Sequence, residues 1–579
     1  MLRTQRTETR DYVEVSGLWG FAPDPKGELG PDALLTHELA VPGSWNEQLA
    51  EAGFMAYVGA AWLTREVFVP QHFSGRRIVL RFGSAGYTAD VYANGEQAGE
   101  GRLPYLPFEA DVTSVAVPGE VMRIAVRVSN EEHPDGITPG VSLEDYRRWD
   151  AAKAEYFPAT RPDFYPYGGL HRPVYLMALP EERIEAIRVE TALEGSSAEV
   201  SVEAVHAHDA VLSAELSLRG EVVASGEGAG KLTLAVESAE LWAPESPTLY
   251  DLELRLVKGG ELLDVVRQKV GIRTIDTRGH EILLNGKPIF LKGFGRHEDS
   301  DVAGRALNLP VMVKDFGLME WVGANSFRTS HYPYAEEQLE WADRHGVLVI
   351  SEIASVNLDF RQVSHATRVN HFAAIEAQMA RDRNHPSVIM WSLANEPGYL
   401  GENEYRRPEA ADYMAAIFAH ARSLDSSRLL THANVQYAGI EDSAFEHSDV
   451  IGINRYRGWY DSPAQIERGV AHLKEELDTL TQHGKPICIW EFGADAVHGE
   501  HATYDQMFTE DFQRDFIEAQ LDLFESHPAV AGAHIWNLCD FMTAQHHRRV
   551  VVNRKGVFTR DRKPKRAAFM LRKRWSGDA

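Results

Sequence analysis

A multidomain chain, two β-sandwich domains ahead of a (β/α)8 barrel, is predicted from three observations. The 579 residues exceed what a single core organises, since domains run to ~100–200 residues each. Up to about residue 275, apolar and polar residues alternate at period two between Gly, Pro, Asn and Asp turns, the pattern of half-buried strands. Beyond Ile275, apolar runs alternate with amphipathic stretches, the order of βα units around a parallel sheet.

The first domain is placed at residues 1–180, where short strand-like runs fall at 63–69, 77–82, 89–93 and 121–128. Asn94-Gly95 between two of these is a hairpin signal, because both residues tolerate a positive φ. The second domain, 181–275, carries runs at 184–190, 198–207, 211–218, 232–235, 250–257 and 264–270. Its length of about 90 residues suits an immunoglobulin-like β-sandwich, and no long helix fits either region.

The third domain, 276–579, holds eight strand–helix units. The first four pair 290–294 with 311–322, 326–330 with 334–345, 347–353 with 367–380 and 388–392 with 409–422. The fifth strand, 429–431, has no clear helix after it. The last three pair 450–453 with 464–480, 486–489 with 506–525 and 533–536 with 564–574. In such a TIM barrel the active site lies at the carboxyl ends of the strands, which makes polar residues closing each apolar run the candidates.

Composition narrows the function classes. Hydrophobic residues at 44% and charged residues at 25% describe an ordinary globular protein. A net charge of −26 argues against nucleic acid as a partner. No run approaches the ~20 apolar residues of a membrane span, and the polar first residues carry no leader pattern, so a cytoplasmic location is expected. Cys488 and Cys539 are too few for a disulfide framework and are read as buried, reduced thiols. Neither His297-Glu298-Asp299 nor His546-His547 has a convincing ligand set around it, so no metal is expected.

Two glutamates stand out at strand ends: Glu396 in Trp391-Ser392-Leu393-Ala394-Asn395-Glu396-Pro397, and Glu491 in Ile487-Cys488-Ile489-Trp490-Glu491-Phe492-Gly493. A carboxylate is costly to dehydrate and rarely tops a core strand without a partner or a task. One reading is a salt bridge to a nearby arginine. The other is glycosidic hydrolysis, with retention if the carboxyl groups lie about 5–5.5 Å apart and inversion if they are wider. Both readings stay open on spacing alone.

The resemblance is more specific. Asn395-Glu396-Pro397 at the fourth strand and Glu491 at the seventh are joined by Arg328-Thr329-Ser330-His331-Tyr332-Pro333, Gly293-Phe294-Gly295-Arg296-His297-Glu298 and Leu18-Trp19-Gly20. Together these motifs resemble glycoside hydrolase family 2 over nearly the whole chain. The resemblance implies an N-terminal jelly-roll β-sandwich of the sugar-binding kind, an immunoglobulin-like sandwich and a catalytic barrel. It implies Glu396 as general acid/base, Glu491 as nucleophile and Asn395 as a ligand of the sugar 2-hydroxyl. It also implies no cofactor, because two carboxylates and water complete the cycle, and a homo-oligomer, dimer or tetramer.

The sugar is argued from the last loop. Residues 548–574 hold twelve Lys or Arg against one acid, and a basic segment beside catalytic acids suggests an anionic substrate. Lys563, Lys565, Arg566, Arg572, Lys573 and Arg574 are read as coating the last helix and a solvated surface. Asn553 and Lys555 differ: their Asn-x-Lys spacing sets an amide beside an ammonium on one side of an extended loop, able to grip one carboxylate. This is similar to the uronate-binding motif of family 2 β-glucuronidases, and 560–565 match that group as well. Each charge-assisted hydrogen bond contributes about 1.5–3 kcal/mol, so two give roughly 10²–10⁴ preference for a uronate over a neutral hexose.

By the same resemblance Asp163 reaches a sugar hydroxyl from the first domain, Tyr456 supports the nucleophile and Tyr460 lines the pocket. His331 is a hydroxyl ligand, Arg549 a cation near the uronate and Trp536 an aromatic floor. A turn role for Asp163 and plain aromatic packing for the two tyrosines are the alternatives. Trp490, Phe492 and Arg457 depart from the family pattern and are expected to reshape the pocket wall. The short segment 354–364 predicts an open mouth on the aglycone side. The expected activity is that of a retaining exo-acting β-D-glucuronidase on small-molecule or glycan β-glucuronides. The alternatives are a galacturonidase or dual-specificity uronidase, and a non-catalytic glycan-binding protein.

Overall fold

The computed structural model describes residues 1–133, 135–138, 157–158, 160, 162–206, 209–361, 363–398 and 408–577. The N-terminal domain packs a four-stranded antiparallel sheet, with Arg77–Phe82 and Val174–Leu179 at its centre, on a six-stranded one centred on Ala60–Phe68 and Val121–Ser129. Alternation sends Met122, Ile124, Val126 and Val128 inward against Ile78, Leu80, Phe82 and Leu176. Each such side chain removed from water contributes about 1.5–3 kcal/mol. Asn94 (φ 49°) and Gly95 (φ 87°) form the two-residue turn between Thr88–Ala93 and Glu96–Gly101.

The middle domain sets a three-stranded sheet against a four-stranded one. Val200, Val202, Leu212, Leu216, Leu232, Leu252 and Leu254 fill the space between them. Six of the seven strands in these two sheets overlap the expected runs, while the strand Glu221–Gly228 was not foreseen, because its exposed edge has no buried side chain to impose alternation.

A short meander, Ile275–Arg278, Glu281–Leu284 and Lys287–Ile289, leads into the barrel. Its Ile282 and Leu284 cluster with Leu291, Leu348, Ile350, Met390, Cys488 and Trp490, which face the barrel interior. The barrel strands are Leu291–Gly295, Ser326–Arg328, Leu348–Glu352, Val388–Asn395, Leu429–Ala433, Ile451–Asn454, Ile487–Phe492 and Val530–Ile535, in that order around the sheet. Between the fifth and sixth, Asn434 bridges to Ile453, with Asn434 N donating to Gly452 O at 3.0 Å and Asn454 N to Asn434 O at 2.9 Å. Only two short 3-10 turns follow the fifth strand, as the weak pattern there implied.

Helix starts follow local chemistry. Ser364 caps His365–Asp382 in a reciprocal box with Thr367, and Thr509 caps Glu510–Ser526. Both cysteines are buried and unpaired. Among the described residues no helix is long and apolar enough to cross a membrane.

Candidate active site

The fourth strand ends in Asn395, and Glu396 follows with φ +47°, a left-handed conformation rare for a side-chain-bearing residue. The turn is held by Glu396 N donating to Ala433 O at 2.8 Å. Asn454, ending the sixth strand, donates through Nδ2 to Asn395 Oδ1 (3.2 Å) and to Glu396 Oε1 (3.0 Å). Burial, followed by the negative charge of Glu491, pushes the Glu396 carboxyl up to about 8. Glu396 is thus a protonated acid at neutral pH.

Glu491 meets different surroundings. Arg328 Nη2 donates to its Oε1 at 2.5 Å and Tyr456 Oη to its Oε2 at 2.7 Å. Arg328 is fully buried and also donates through Nη1 to Glu352 Oε2 at 2.5 Å, so one guanidinium ties the second, third and seventh strands together. Burial opposes the charge on Arg328, but Glu352 and Glu491 outweigh it and raise the guanidinium further. Burial likewise pushes Glu352 up, yet Arg328 and His331 leave it below the usual carboxylate range. The Tyr456 hydroxyl is raised well above its ordinary value by burial and by Glu491, which keeps its proton in place for donation.

His331 places Nδ1 2.8 Å from Glu352 Oε1 and Nε2 3.8 Å from Glu491 Oε1, with its ring stacked on Trp536 at 4.9 Å. His297 packs between Phe541 (4.2 Å), Trp536 and Phe164. Burial, then the charges of His331 and Arg305, hold His297 well below the usual imidazole range.

Beside these acids lies a cluster of alternating charge. Arg549 Nε donates to Asp163 Oδ1 at 3.0 Å, and Arg549 Nη2 bonds Asp163 Oδ2 as well. Asn553 Nδ2 reaches the same Oδ2 at 3.1 Å. Lys555 Nζ bonds Asp495 Oδ2 and donates to Tyr460 Oη at 3.0 Å. Asp495 also lies 3.8 Å from Arg549 Nη1. Tyr460 is 45% exposed, whereas Lys555 is 1% exposed.

The sequence candidates therefore fall into two linked groups, one around Glu491 and one around Lys555, joined by Tyr456 and Tyr460, whose rings meet at 5.2 Å. In the sequence Arg328 stands out only as part of a motif, and Glu352, Asn454 and Asp495 carry no motif signal of their own. The signal for Asp495 is its place four residues after Glu491, on the loop that follows that strand.

Four expectations are corrected. Trp490 does not shape the pocket wall: it is fully buried in the barrel interior, with Nε1 3.3 Å from Thr431 Oγ1. Phe492 turns outward onto Phe524, and Arg457 pairs with Asp461 and Glu476. Lys565 does not coat the surface but is fully buried, its Nζ on Asp540 Oδ1 at 2.8 Å and on the carbonyls of Ala496 and Arg554. The basic run thus serves ion pairs inside the protein more than a positive field at the mouth.

The architecture and this paired-carboxylate mouth define a sugar-hydrolysing barrel enzyme, and comparison gives its family. The TIM barrel domain of glycosyl hydrolases family 2 matches residues 275–577, the family's sugar binding domain matches 13–180 and its middle domain model matches 182–273. The chain belongs to glycoside hydrolase family 2.

Similar proteins within that family include β-glucuronidases. One from Paenibacillus borealis is 38% identical, covering 99% of this chain and 98% of the other. One from Felis catus is 36% identical over 99% of this chain and 92% of its own. Among solved structures, the Ruminococcus gnavus β-glucuronidase in complex with a C6-substituted uronic isofagomine superposes with a TM-score of 0.93 at 34% identity over 99% of both chains. The β-D-glucuronidase of Dictyoglomus thermophilum gives 0.91 at 34% identity, over 100% of this chain and 99% of its own.

Proposed function

We propose that the protein is a retaining, exo-acting β-D-glucuronidase that releases terminal glucuronate from small-molecule or glycan β-glucuronides. The observation that carries this reading is the pairing of two glutamates in contrasting surroundings with a buried Asn553–Lys555 donor pair at one mouth. The names of its relatives support the same substrate class.

In this reading the sugar enters with its carboxylate toward Lys555 and Asn553, and Asp163, His331 and Asn395 take its hydroxyls above Trp536. Glu396 gives its proton to the glycosidic oxygen as the bond to C1 breaks. Glu491, held by Arg328 and Tyr456, attacks C1 from the other face and forms a covalent glycosyl-enzyme. Glu396, now a carboxylate, takes a proton from water as the water attacks C1, and Glu491 leaves. Two inversions restore the starting configuration. A cytoplasmic homo-oligomer, dimer or tetramer, completes the reading on family resemblance.

4-Nitrophenyl β-D-glucuronide and β-D-galacturonide, assayed side by side, test the substrate, and NMR of the first-formed product tests retention. Glu491→Ala is expected to lose more than about 10³-fold in kcat. Lys555→Ala is expected to lose about 10–10²-fold in kcat/KM on the glucuronide. A Glu491→Ala enzyme as fast as the parent would end this assignment.

A further inference from the structure

We propose that Asp495 is a positioning residue for uronate recognition, holding the Lys555 ammonium so that one N–H remains directed at the sugar carboxylate. The inference rests on the glucuronidase reading and deepens it.

An ammonium has three N–H donors. On Lys555 one is taken by Asp495 Oδ2 and one by Tyr460 Oη at 3.0 Å. Around the same Nζ stand the rings of Tyr460 at 4.9 Å, Trp459 at 5.3 Å and Tyr456 at 5.6 Å. Tyr456 donates from its far end to Glu491, so its ring spans the distance from Lys555 to the candidate nucleophile. One donor is left for a carboxylate lying across that ring.

Asp495 is itself fixed. Its Oδ1 accepts from Arg554 N at 3.0 Å, and it is 2% exposed. It stands on the loop that follows Glu491's strand, and between them Gly493 passes so close to the barrel that a Cβ there would lie 2.4 Å from Trp536 O. Nucleophile and brace are thus set by one stretch of backbone.

Charge balance excludes a simpler account. The groups facing Lys555 are Asp495 from the loop after the seventh strand, Tyr456 and Tyr460 from the loop after the sixth, Arg549 from the last loop, and Asp163 from the first domain through Asn553. Two cations meet two carboxylates, so the cluster has no formal net charge to attract an anion. Selectivity then depends on where the donors point. Without Asp495 a buried ammonium keeps its position and its proton less well.

The test uses the full chain, Asp495→Asn and Asp495→Glu, with 4-nitrophenyl β-D-glucuronide as substrate and free D-glucuronate as competitive inhibitor. Asp495→Asn is expected to raise KM about 30-fold at pH 7 with kcat within about fivefold. The ratio of its glucuronate Ki to the parent's is expected to grow between pH 6 and 9, as the unbraced ammonium deprotonates. Asp495→Glu keeps the charge and is expected to restore at least half the lost binding on a log scale, with a flat Ki ratio. A structural defect would give a ratio independent of pH and no rescue. Parent values of KM and Ki in Asp495→Asn overturn the proposal. If Asp495→Asn does not fold, a glucuronate Ki ratio for Asp495→Glu that rises with pH overturns it. A parent chain inert toward the glucuronide would instead sink the glucuronidase reading.

Discussion

Glu396 is the residue on which pH acts. Its folded-state carboxyl titrates near 8, against about 4.3 for an unperturbed glutamate. In the proposed role of general acid it must carry a proton, so kcat/KM is expected to fall on the alkaline side with a midpoint near pH 8, read from a pH–rate profile. The same shift has a thermodynamic sign. A carboxyl raised in the folded state favours folding fully below the unfolded pKa, and that contribution is lost as pH rises through the folded one. Glu396→Gln mimics the protonated acid without titrating. Its Tm relative to the parent is therefore expected to climb from pH 5 to pH 8 and then level off, while activity is lost at every pH. A Tm difference that shrinks over that window would show that Glu396 is not the group burial has shifted. Both glutamates were legible in the sequence because each closes an apolar run, and Asn-x-Lys was legible because two residues of one loop share a side. Arg328–Glu352–Glu491 was not, because strands far apart in sequence meet only in the closed sheet.

At the scale of the element, the seventh barrel strand shows why parity misleads near an active site. Ile487 and Ile489 face the helices while Cys488 and Trp490 face the interior, so strict alternation would send Glu491 outward. The register shifts between Ile489 and Phe492, and this irregularity turns Glu491 into the mouth and Phe492 onto Phe524. The fourth strand shifts similarly between Ser392 and Asn395, just before Glu396. Strand positions were readable from the apolar runs, but a one-residue slip leaves no mark in hydropathy; Trp490 was expected at the wall because it departs from the family pattern, which does not say which way a side chain faces. The space it occupies is made by Gly452, where a Cβ would lie 2.1 Å from Trp490 Nε1 and 2.2 Å from His432 O. Trp490→Ser is therefore expected to open a cavity that costs about 3–5 kcal/mol in urea unfolding, with KM for a glucuronide within about threefold of the parent. A change of substrate preference without loss of stability would return Trp490 to the pocket wall.

Across the whole molecule, the barrel and the N-terminal domain build the mouth together, and Asp163 is the first domain's contribution to it. The segment that carries this aspartate also meets the barrel at a seam of polar contacts. Arg560, from the last loop, donates to Asp299 Oδ1 at 2.6 Å and Tyr167 Oη at 2.9 Å and pairs with Glu47. Tyr167 lies four residues beyond Asp163, so this guanidinium clamps the segment that enters the site. A buried pair, Arg10 with Asp264 (Nη2 to Oδ2, 2.6 Å), joins the N-terminal segment to the middle domain, away from the mouth, whereas Arg560 is partly buried. Truncating one partner of a buried pair costs about 3–5 kcal/mol, because the other charge stays dehydrated. Arg10→Ala and Arg560→Ala are thus both expected to lower Tm, yet with different kinetics. Arg10→Ala leaves KM for the glucuronide unchanged within about twofold, since it touches neither Asp163 nor the barrel mouth. Arg560→Ala raises KM about tenfold with kcat less affected, the signature of a displaced binding group and not of lost chemistry. Equal KM values for the two variants, measured well below their melting temperatures, would show that Asp163 is held by its own loop and that the seam contributes stability alone.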